Sequence, residues 1–303
     1  MTGLKWTRKS TRTISTELGR LGLHVSHTTV ARLLAKLDYR LRVNHKKIAG
    51  KSHPQRNTQF EYIAAQRRRC ARRALPLISV DTKKKEVVGP FKNAGVEWSR
   101  QARAVRDHDF RSESVGMAIP YGVYDLQTNR GAVFVGTSHD TADFALDSIA
   151  TWWRTEGCSR YPNATQLFIL ADNGGSNGST HHAWKHALQH KLADPFGLTV
   201  TVCHYPPATS KWNPIEHRLF AQISRNWAGE PLSSYETIVN FIRTTTTATG
   251  LRVSATTLNG DYPTGVKIPK PEMKRLSIHP HNVCPQWNYT VHPRRVAKCE
   301  VIS

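Results

Sequence analysis

The sequence predicts an α/β fold: a mixed β-sheet flanked by helices, preceded by a helix-turn-helix segment. Three observations carry this. The short apolar runs Leu77-Ile78-Ser79-Val80 and Phe168-Ile169-Leu170-Ala171 have the character of strands buried on both faces of a sheet. Segments of helical period alternate with such runs from Leu75 to about Glu230. Each of the two runs ends in an aspartate, Asp81 and Asp172, and a third carboxylate, Glu216, closes the stretch Pro206–Ile215.

Taken in order, residues 1–50 carry two helices. The first covers Thr13–Arg20 and is broken by Gly22; Ser26 is a good N-cap for the second. That second helix sets Val30, Leu33, Leu34 and Leu37 on one apolar face. His27, Thr28, Thr29 and Arg32 stand near its start, where a recognition helix presents side chains to base edges. An ordinary helical hairpin has the same pattern. A stable DNA-binding unit of this type wants a third helix, and Met1–Lys9 has no helical period, so the segment is expected to be incomplete at its N-terminus. Residues 51–75 read as a polar linker followed by a basic helix. Its Arg67, Arg68, Arg69, Arg72 and Arg73 suit phosphate contacts, or form a solvated face.

The region 76–232 is expected to form the catalytic domain. Strand Leu77–Asp81 is followed by an irregular charged stretch to about Val115, then by a hairpin of Tyr121–Leu126 and Ala132–Gly136 turning at Thr128–Gly131. A helix capped at Asp140 or Thr141 buries Phe144, Ala145, Ile149, Trp152 and Trp153. Strand Gln166–Ala171, a Gly-rich loop, a helix over Thr180–Leu192, strand Leu198–Cys203 and the helix bearing Glu216 complete it. The order β-β-β-α-β-α-β-α is that of the ribonuclease H-like fold, whose first and fourth strands lie side by side. Residues 233–303 are expected to hold one more helix, Ser233–Thr247, and a loop-dominated extension rich in Pro and His.

Composition narrows the class of partner. The 303 residues include 43 Lys+Arg against 22 Asp+Glu, a net charge of +21. Nucleic acid accounts for this most simply, the alternatives being charge-aided solubility or an anionic membrane surface. No apolar stretch approaches the ~18 residues of a membrane span, and no signal-peptide core opens the chain. Cys70, Cys158, Cys203, Cys284 and Cys299 are scattered without a Cys-x-x-Cys pair, as in a cytoplasmic protein with reduced thiols.

Two aspartates and a glutamate gathered at strand ends repel one another unless a hard cation lies between them. Their order on such a framework resembles the DDE transposases and retroviral integrases, and Pro206–Glu216 is similar to the segment before the catalytic glutamate of mariner-like transposases. More narrowly, the phrases Ser79–Lys85, Ile119–Asp125, Ala171–Gly178, Thr209–Asn213, Ile215–Phe220 and Trp287–Thr290 resemble the Rhodopirellula-type DDE transposases of bacterial insertion sequences. The likeness runs from about Leu4 to Arg294, with two departures: the family is associated with a further helical segment upstream of Met1, and Asn173 stands where it is associated with cysteine.

The resemblance implies cleavage of DNA at element ends and strand transfer into target DNA. It further implies a homo-oligomer when ends are bound, no membrane, no small-molecule substrate, and a bacterial, nucleoid-associated location. Two Mg²⁺ ions about 4 Å apart would serve the in-line displacement, with Mn²⁺ an expected substitute. Asp81 is assigned to both ions, Asp172 and Glu216 to one each. Lys83, Lys85, Lys211 and Arg218 are candidates to hold the DNA backbone.

Other features are weaker. Gly174, Gly175 and Gly178 form no Walker or dinucleotide fingerprint. Trp212 is either a base-stacking residue or a core tryptophan. His182, His186 and His190 repeat every four residues without cysteine or carboxylate partners. Asp140, Asp143 and Asp147 suit the start and exposed face of a helix. Two other functions remain open: a ribonuclease H-like nuclease that cuts without joining, and an inactive or domesticated DNA-binding derivative.

Overall fold

In the computed structural model, which describes residues 9–41 and 53–294, the chain divides into two compact units at Ser52/His53. The ends of the expected helix-turn-helix segment, the start of the linker and the last residues of the C-terminal extension lie outside the described residues. The first unit holds α1 (Thr11–Arg20) and α2 (His27–Lys36). Ser10 and Ser26 cap them by accepting from the Thr13 and Thr29 N–H groups at 3.1 and 3.2 Å. Of the expected apolar stripe Val30 is buried and Leu34 half-buried, whereas Leu33 and Leu37 are exposed. Within this unit α1 packs against α2.

The second unit is built on one strand. In β1 (Leu77–Thr82), Ile78 and Val80 point to one face and Leu77, Ser79 and Asp81 to the other, as strand alternation requires. Both faces are covered, which is why the run is apolar throughout. The remaining strands are β2 (Glu86–Val88), β3 (Gly116–Asp125), β4 (Arg130–Gly136), β5 (Gln166–Ala171), β6 (Thr199–His204), β7 (Arg252–Leu258), β8 (Ile278–Pro280) and β9 (Asn288–Val291). Their order across the sheet is β7-β4-β3-β1-β5-β6-β9-β8, with β2 paired to β3. β1, β3 and β4 run antiparallel in turn, while β5 lies parallel to β1 and β6 parallel to β5. The expected ribonuclease H-like order is therefore present, with little β2 as an addition.

Helices cover both faces. On one lie α4 (Ala142–Trp152), continuing through a π-turn at Trp153–Gly157 into α5 (Cys158–Arg160), and α6 (His182–Ala187), continuing through a π-turn at Leu188–Ala193 into α7 (Asp194–Phe196). Phe144, Ile149, Trp152, Trp184 and Leu188 bury there against Ile78, Val80, Ile169 and Val202. On the other face lie α3 (Arg56–Arg72), a π-turn at Glu216–Phe220 leading into α8 (Ala221–Asn226), and α9 (Tyr235–Arg243).

Two regions differ from expectation. The basic helix of 51–75 is no linker. α3 buries Ile63 and Cys70 against Leu77, Phe168 and Leu170, and its buried Gln59 donates to the His204 carbonyl and to Asn288 Oδ1, both at 2.8 Å. The loop-rich 233–303 extension holds strands that were not expected. It supplies β7 to one edge of the sheet and, after the short α10 (Lys270–Lys274), β8 and β9 to the other.

Gly122 faces Asp81 across the β1–β3 ladder. A Cβ there would lie 2.6 Å from Phe220 Cε1 and 2.8 Å from Ile215 Cδ1, so the glycine lets the helix bearing Glu216 approach the sheet. Gly122→Val is expected to destabilise the fold by about 1–3 kcal/mol through overpacking, read as a lowered urea midpoint at unchanged slope.

Candidate active site

The register decides the site. Val80 pairs with Ala171 on adjacent parallel strands, so the next residues, Asp81 and Asp172, leave the sheet side by side. Both carboxylates lose solvent there. Burial first, then the charges of Asp172 and Glu216, push Asp81 well above the usual carboxylate range. Burial likewise raises Asp172 to about 6, and burial raises Glu216. The three groups thus share one electrostatic neighbourhood. Asp81 and Asp172 line a cleft of about 290 Å³ with Lys84, Lys85 and Asp140. Glu216 lines an adjoining cleft of about 530 Å³, and Lys83 and Lys84 border both. Among the described residues no three His, Cys, Asp or Glu side chains already enclose a point where an ion would sit.

Uncharged partners hold each acid in place. The Thr82 N–H donates to Asp81 Oδ1 at 2.8 Å. Asn213, fully buried, accepts from the Ser79 hydroxyl at 2.5 Å, donates to the Val80 carbonyl at 3.1 Å and also supports Asp81. Ser79 Oγ in turn accepts from the Ile215 N–H at 3.1 Å, pinning the start of the Glu216 helix to β1. For Asp172, the Gly174 N–H and the Asn177 amide donate to one side of the carboxylate. Asn177 is itself fixed by the Tyr121 hydroxyl at 2.9 Å. The other oxygen, Oδ1, is buried with no hydrogen-bond partner.

A neutral relay supports the Asp172 backbone. Trp184 Nε1–H donates to Tyr289 Oη at 2.8 Å, leaving the Tyr289 hydroxyl to donate to His204 Nε2 (3.1 Å) and His204 Nδ1–H to donate to the Asp172 carbonyl (2.9 Å). Burial lowers His204 to about 4, so the ring stays uncharged at neutral pH.

The remaining candidates fall into different settings. His27, Thr28 and Arg32 are exposed on α2, while Thr29 is half-buried with its hydroxyl on Ser26. Arg67 and Arg68 are exposed on α3; Arg69 lies over the Phe168 ring at 5.7 Å. Lys85, Lys211 and Arg218 are exposed, Lys85 pairing with Asp140 at 3.6 Å. Lys83 is not available to the DNA backbone: it is buried, its ammonium 2.8 Å from Glu86 and 4.3 Å from the Trp227 ring centre. Trp212 is half-exposed, edge-on to Phe60. His186 and His190 stack at 4.0 Å, and Glu272 and Arg294 occupy them. Asn173 accepts from the Ser179 N–H and so shapes the loop after β5.

Sequence reasoning missed Ser79, Tyr121, Asn177, Asn213 and His204 as supports. The one available signal was a lone serine inside an apolar strand and an asparagine held between Trp212 and Pro214. It also assigned Asp140 to a helix start. Of the two expected caps it is Thr141 that caps α4, accepting from Phe144 N–H, while Asp140 turns into the cleft to accept from the Thr82 hydroxyl at 3.0 Å. Asp143 and Asp147 do face outward, where both hold Lys191.

Carboxylates converging at the carboxyl ends of parallel strands in a ribonuclease H-like sheet define a phosphoryl-transfer class of site. The family described as the Rhodopirellula transposase DDE domain matches residues 1–293, and the chain belongs to that family: it is a transposase of the DDE class. Comparison with curated proteins finds no match. Among solved structures, the chain is similar to the Mos1 transposase paired-end complex with left transposon end (15% identity, 80% of this chain and 72% of that one, TM-score 0.46). It is also similar to the Mos1 strand transfer complex (16%, 77% and 64%, 0.45) and to the mariner Mos1 paired-end complex with Mg (14%, 80% and 72%, 0.46). No helix among the described residues is long and apolar enough to cross a membrane.

The raised acidity constants have a definite sign. A carboxyl whose folded pKa exceeds its unfolded value binds protons more readily in the folded state, so stability falls as pH rises from the unfolded to the folded pKa. For Asp172 that window runs from the ordinary 3.8 of a free aspartate to about 6. Asp172→Asn is therefore expected to be more stable than the parent at neutral pH without metal, by on the order of 2 kcal/mol, the gain vanishing near pH 4. Urea melts across that range test it; a pH-independent difference would contradict the electrostatic account.

Proposed function

We infer that Asp81, Asp172 and Glu216 form the catalytic centre of this transposase, cutting DNA at element ends and joining the freed end to target DNA. The observation that carries this reading is the adjacency of two buried aspartates at parallel strand ends, with a glutamate helix pinned beside them. The donor set fits a hard divalent cation: three carboxylates, none of them in a salt bridge among the described residues, and a buried Asp172 oxygen lacking any partner. Mg²⁺ is the natural occupant, Mn²⁺ a substitute, and Asp81, Asp172 and Glu216 the side chains that hold it.

The chain's own contribution is positional. Asn213 and Ser79 tie the Glu216 helix to β1, so that the third acid stays close to the other two. Tyr121 and Asn177 turn the Asp172 carboxylate so that its unpartnered oxygen remains free. Exposed Lys84, Lys85 and Lys211 border the clefts and attract the phosphate backbone. When bound, the divalent ions stabilise the attacking and leaving oxygens of the in-line displacement. In cleavage a water oxygen bonds to phosphorus, the bond from phosphorus to the 3′ oxygen breaks, and that oxygen takes a proton to become a 3′-hydroxyl. In joining, this hydroxyl attacks a target phosphodiester and displaces the target's own 3′ oxygen. Pairing of two DNA ends by two or more copies, with α2 and the arginines of α3 contacting DNA, belongs to the same proposal.

Two measurements test it. Supercoiled plasmid is expected to be nicked with Mg²⁺ or Mn²⁺, with activity reduced at least 100-fold in Asp172→Asn, on the order expected for loss of charge stabilisation; equal nicking by both proteins would place the chemistry elsewhere. Mg²⁺ is also expected to raise the Tm of the parent but not of Asp172→Asn, and to do so more strongly as pH rises through about 6, where Asp172 gives up its proton.

A further inference from the structure

A cavity of about 680 Å³ lies at the end of the sheet opposite the cleft. β1 and β4 are each antiparallel to β3, so the amino end of β4 stands at the far end from Asp81. The cavity opens between the amino ends of β4 and β7 on one side and the π-turn Trp153–Gly157 with α5 on the other. Arg130 and Arg252 are register partners on the parallel pair β4–β7, so their side chains leave one face of the sheet with backbones about 5 Å apart. Both line the cavity, and neither guanidinium makes an ion pair or hydrogen bond among the described residues. Like charges placed directly opposite each other weaken a ladder. The pair is nonetheless held together: Asn129 donates to the Thr249 carbonyl at 3.0 Å and accepts from the Tyr124 hydroxyl at 2.8 Å, fixing the start of β4 beside the approach to β7.

The acids nearby are already taken. Arg160, on α5 across the cavity, donates to the fully buried Asp125 at 2.9 Å and to Glu156 at 2.8 Å, and the Ser254 hydroxyl donates to the other Glu156 oxygen at 2.5 Å. The remaining hydroxyls are committed as well, Thr128 to Asp125 and Thr155 and Ser159 to backbone carbonyls. Guanidinium N–H groups are therefore the uncommitted side-chain donors of the lining, and three arginines against Asp125 and Glu156 leave it net positive. A ligand must bring acceptors and negative charge, and paired guanidinium forks suit the tetrahedral oxygens of a phosphate. The lining has no aromatic ring, and Val253 is its one branched apolar side chain, so nothing in it would hold a base.

We propose that this cavity is a phosphate-binding site separate from the cleft, in which Arg130 and Arg252 close from the sheet on a phosphate group whose other side faces Arg160. The bound anion discharges the Arg130–Arg252 repulsion that the ladder otherwise carries. The recognised group is the phosphate itself, whether it belongs to a small free anion or to a nucleic-acid backbone. The site does not depend on the assignment of Asp81, Asp172 and Glu216.

The test is isothermal titration calorimetry of the full chain with inorganic pyrophosphate, without divalent metal and at about 0.15 M salt to screen distant charges. Arg130→Gln with Arg252→Gln is expected to weaken binding at least roughly tenfold, the scale of one lost charge-assisted hydrogen bond. Arg252→Lys, which keeps the charge and loses the fork, should weaken it as well. A charge-matched control, Lys267→Gln with Lys274→Gln at exposed positions elsewhere, should change it by no more than about twofold. The unliganded Tm of the double arginine variant should be no lower than the parent's, because the like-charge pair is gone. Binding of a generic duplex then separates the two sources. A salt slope reduced by about two relative to the control variant assigns the phosphate to a nucleic-acid backbone, and an unchanged slope assigns it to a small free anion. No pyrophosphate binding by the parent, or equal weakening in the arginine variant and the control, overturns the proposal and leaves the transposase reading intact.

Discussion

Two negative charges held side by side in a dry place set the terms for the rest of this molecule. The parallel register of β1 and β5 puts Asp81 next to Asp172, and strand spacing leaves their backbones only about 5 Å apart. Neither acid has a salt-bridge partner among the described residues, although the chain carries 21 more basic than acidic residues. With so much positive charge available, the absence of a buried guanidinium or ammonium on the pair is a structural choice. A cation supplied by the protein would quench the repulsion and occupy the very coordination space that a divalent ion needs. The fold leaves the repulsion standing and holds it in place mechanically.

The holding is done by neutral hydrogen-bonding groups, which orient a carboxylate without discharging it. Asn213, Ser79, Asn177 and Tyr121 are all buried, and all are satisfied through one another or through backbone. The Trp184–Tyr289–His204 chain follows the same logic one layer further back. A histidine that could carry charge is buried until it cannot, and serves as an oriented donor to the Asp172 carbonyl. Breaking one member of such a network leaves the others unpaired in low dielectric, which is why these positions act as a unit. Tyr289 lies on β9, so the C-terminal part of the chain is built into the support of the cleft.

What could be read from the sequence follows from how many faces of an element are buried. β1, β5 and β6 lie at the centre of the sheet, and the apolar runs of the first two and the β-branched Thr-Val alternation of the third marked their limits to within a residue or so: Gln166–Ala171 as expected, Leu77–Thr82 for Leu77–Asp81, Thr199–His204 for Leu198–Cys203. β7 was invisible because it is an edge strand of sequence Arg-Val-Ser-Ala-Thr-Thr-Leu with only Ala255 fully buried, so it offers neither an apolar run nor a clear alternation. β8 and β9 are too short for any period to show. The three acids proposed as catalytic were legible because strand ends and a proline-led helix start are marked in sequence. Their supports were not, since they meet only through the fold: Tyr121 reaches Asn177 across 56 residues, and His204 reaches the Asp172 carbonyl across 32.

The run Lys83-Lys84-Lys85 shows how backbone geometry, more than residue type, assigns function. By composition the three lysines are one basic patch. The chain is still extended there, with the Lys83 N–H donating to the Pro120 carbonyl, so successive side chains diverge. Lys83 keeps the parity of Ser79 and Asp81 and turns inward, where burial lowers its pKa and Glu86 and Trp227 hold its ammonium. Its charge, still felt by Glu216, tempers the acid cluster from beneath. Lys84 turns out to solvent at the border of both clefts, and Lys85 reaches Asp140. One buried lysine therefore stabilises the wall between the clefts, and its two exposed neighbours face a polyanion at the mouth. A basic run beside a carboxylate site supplies both scaffold and substrate attraction, and the alternation of the strand decides which residue does which.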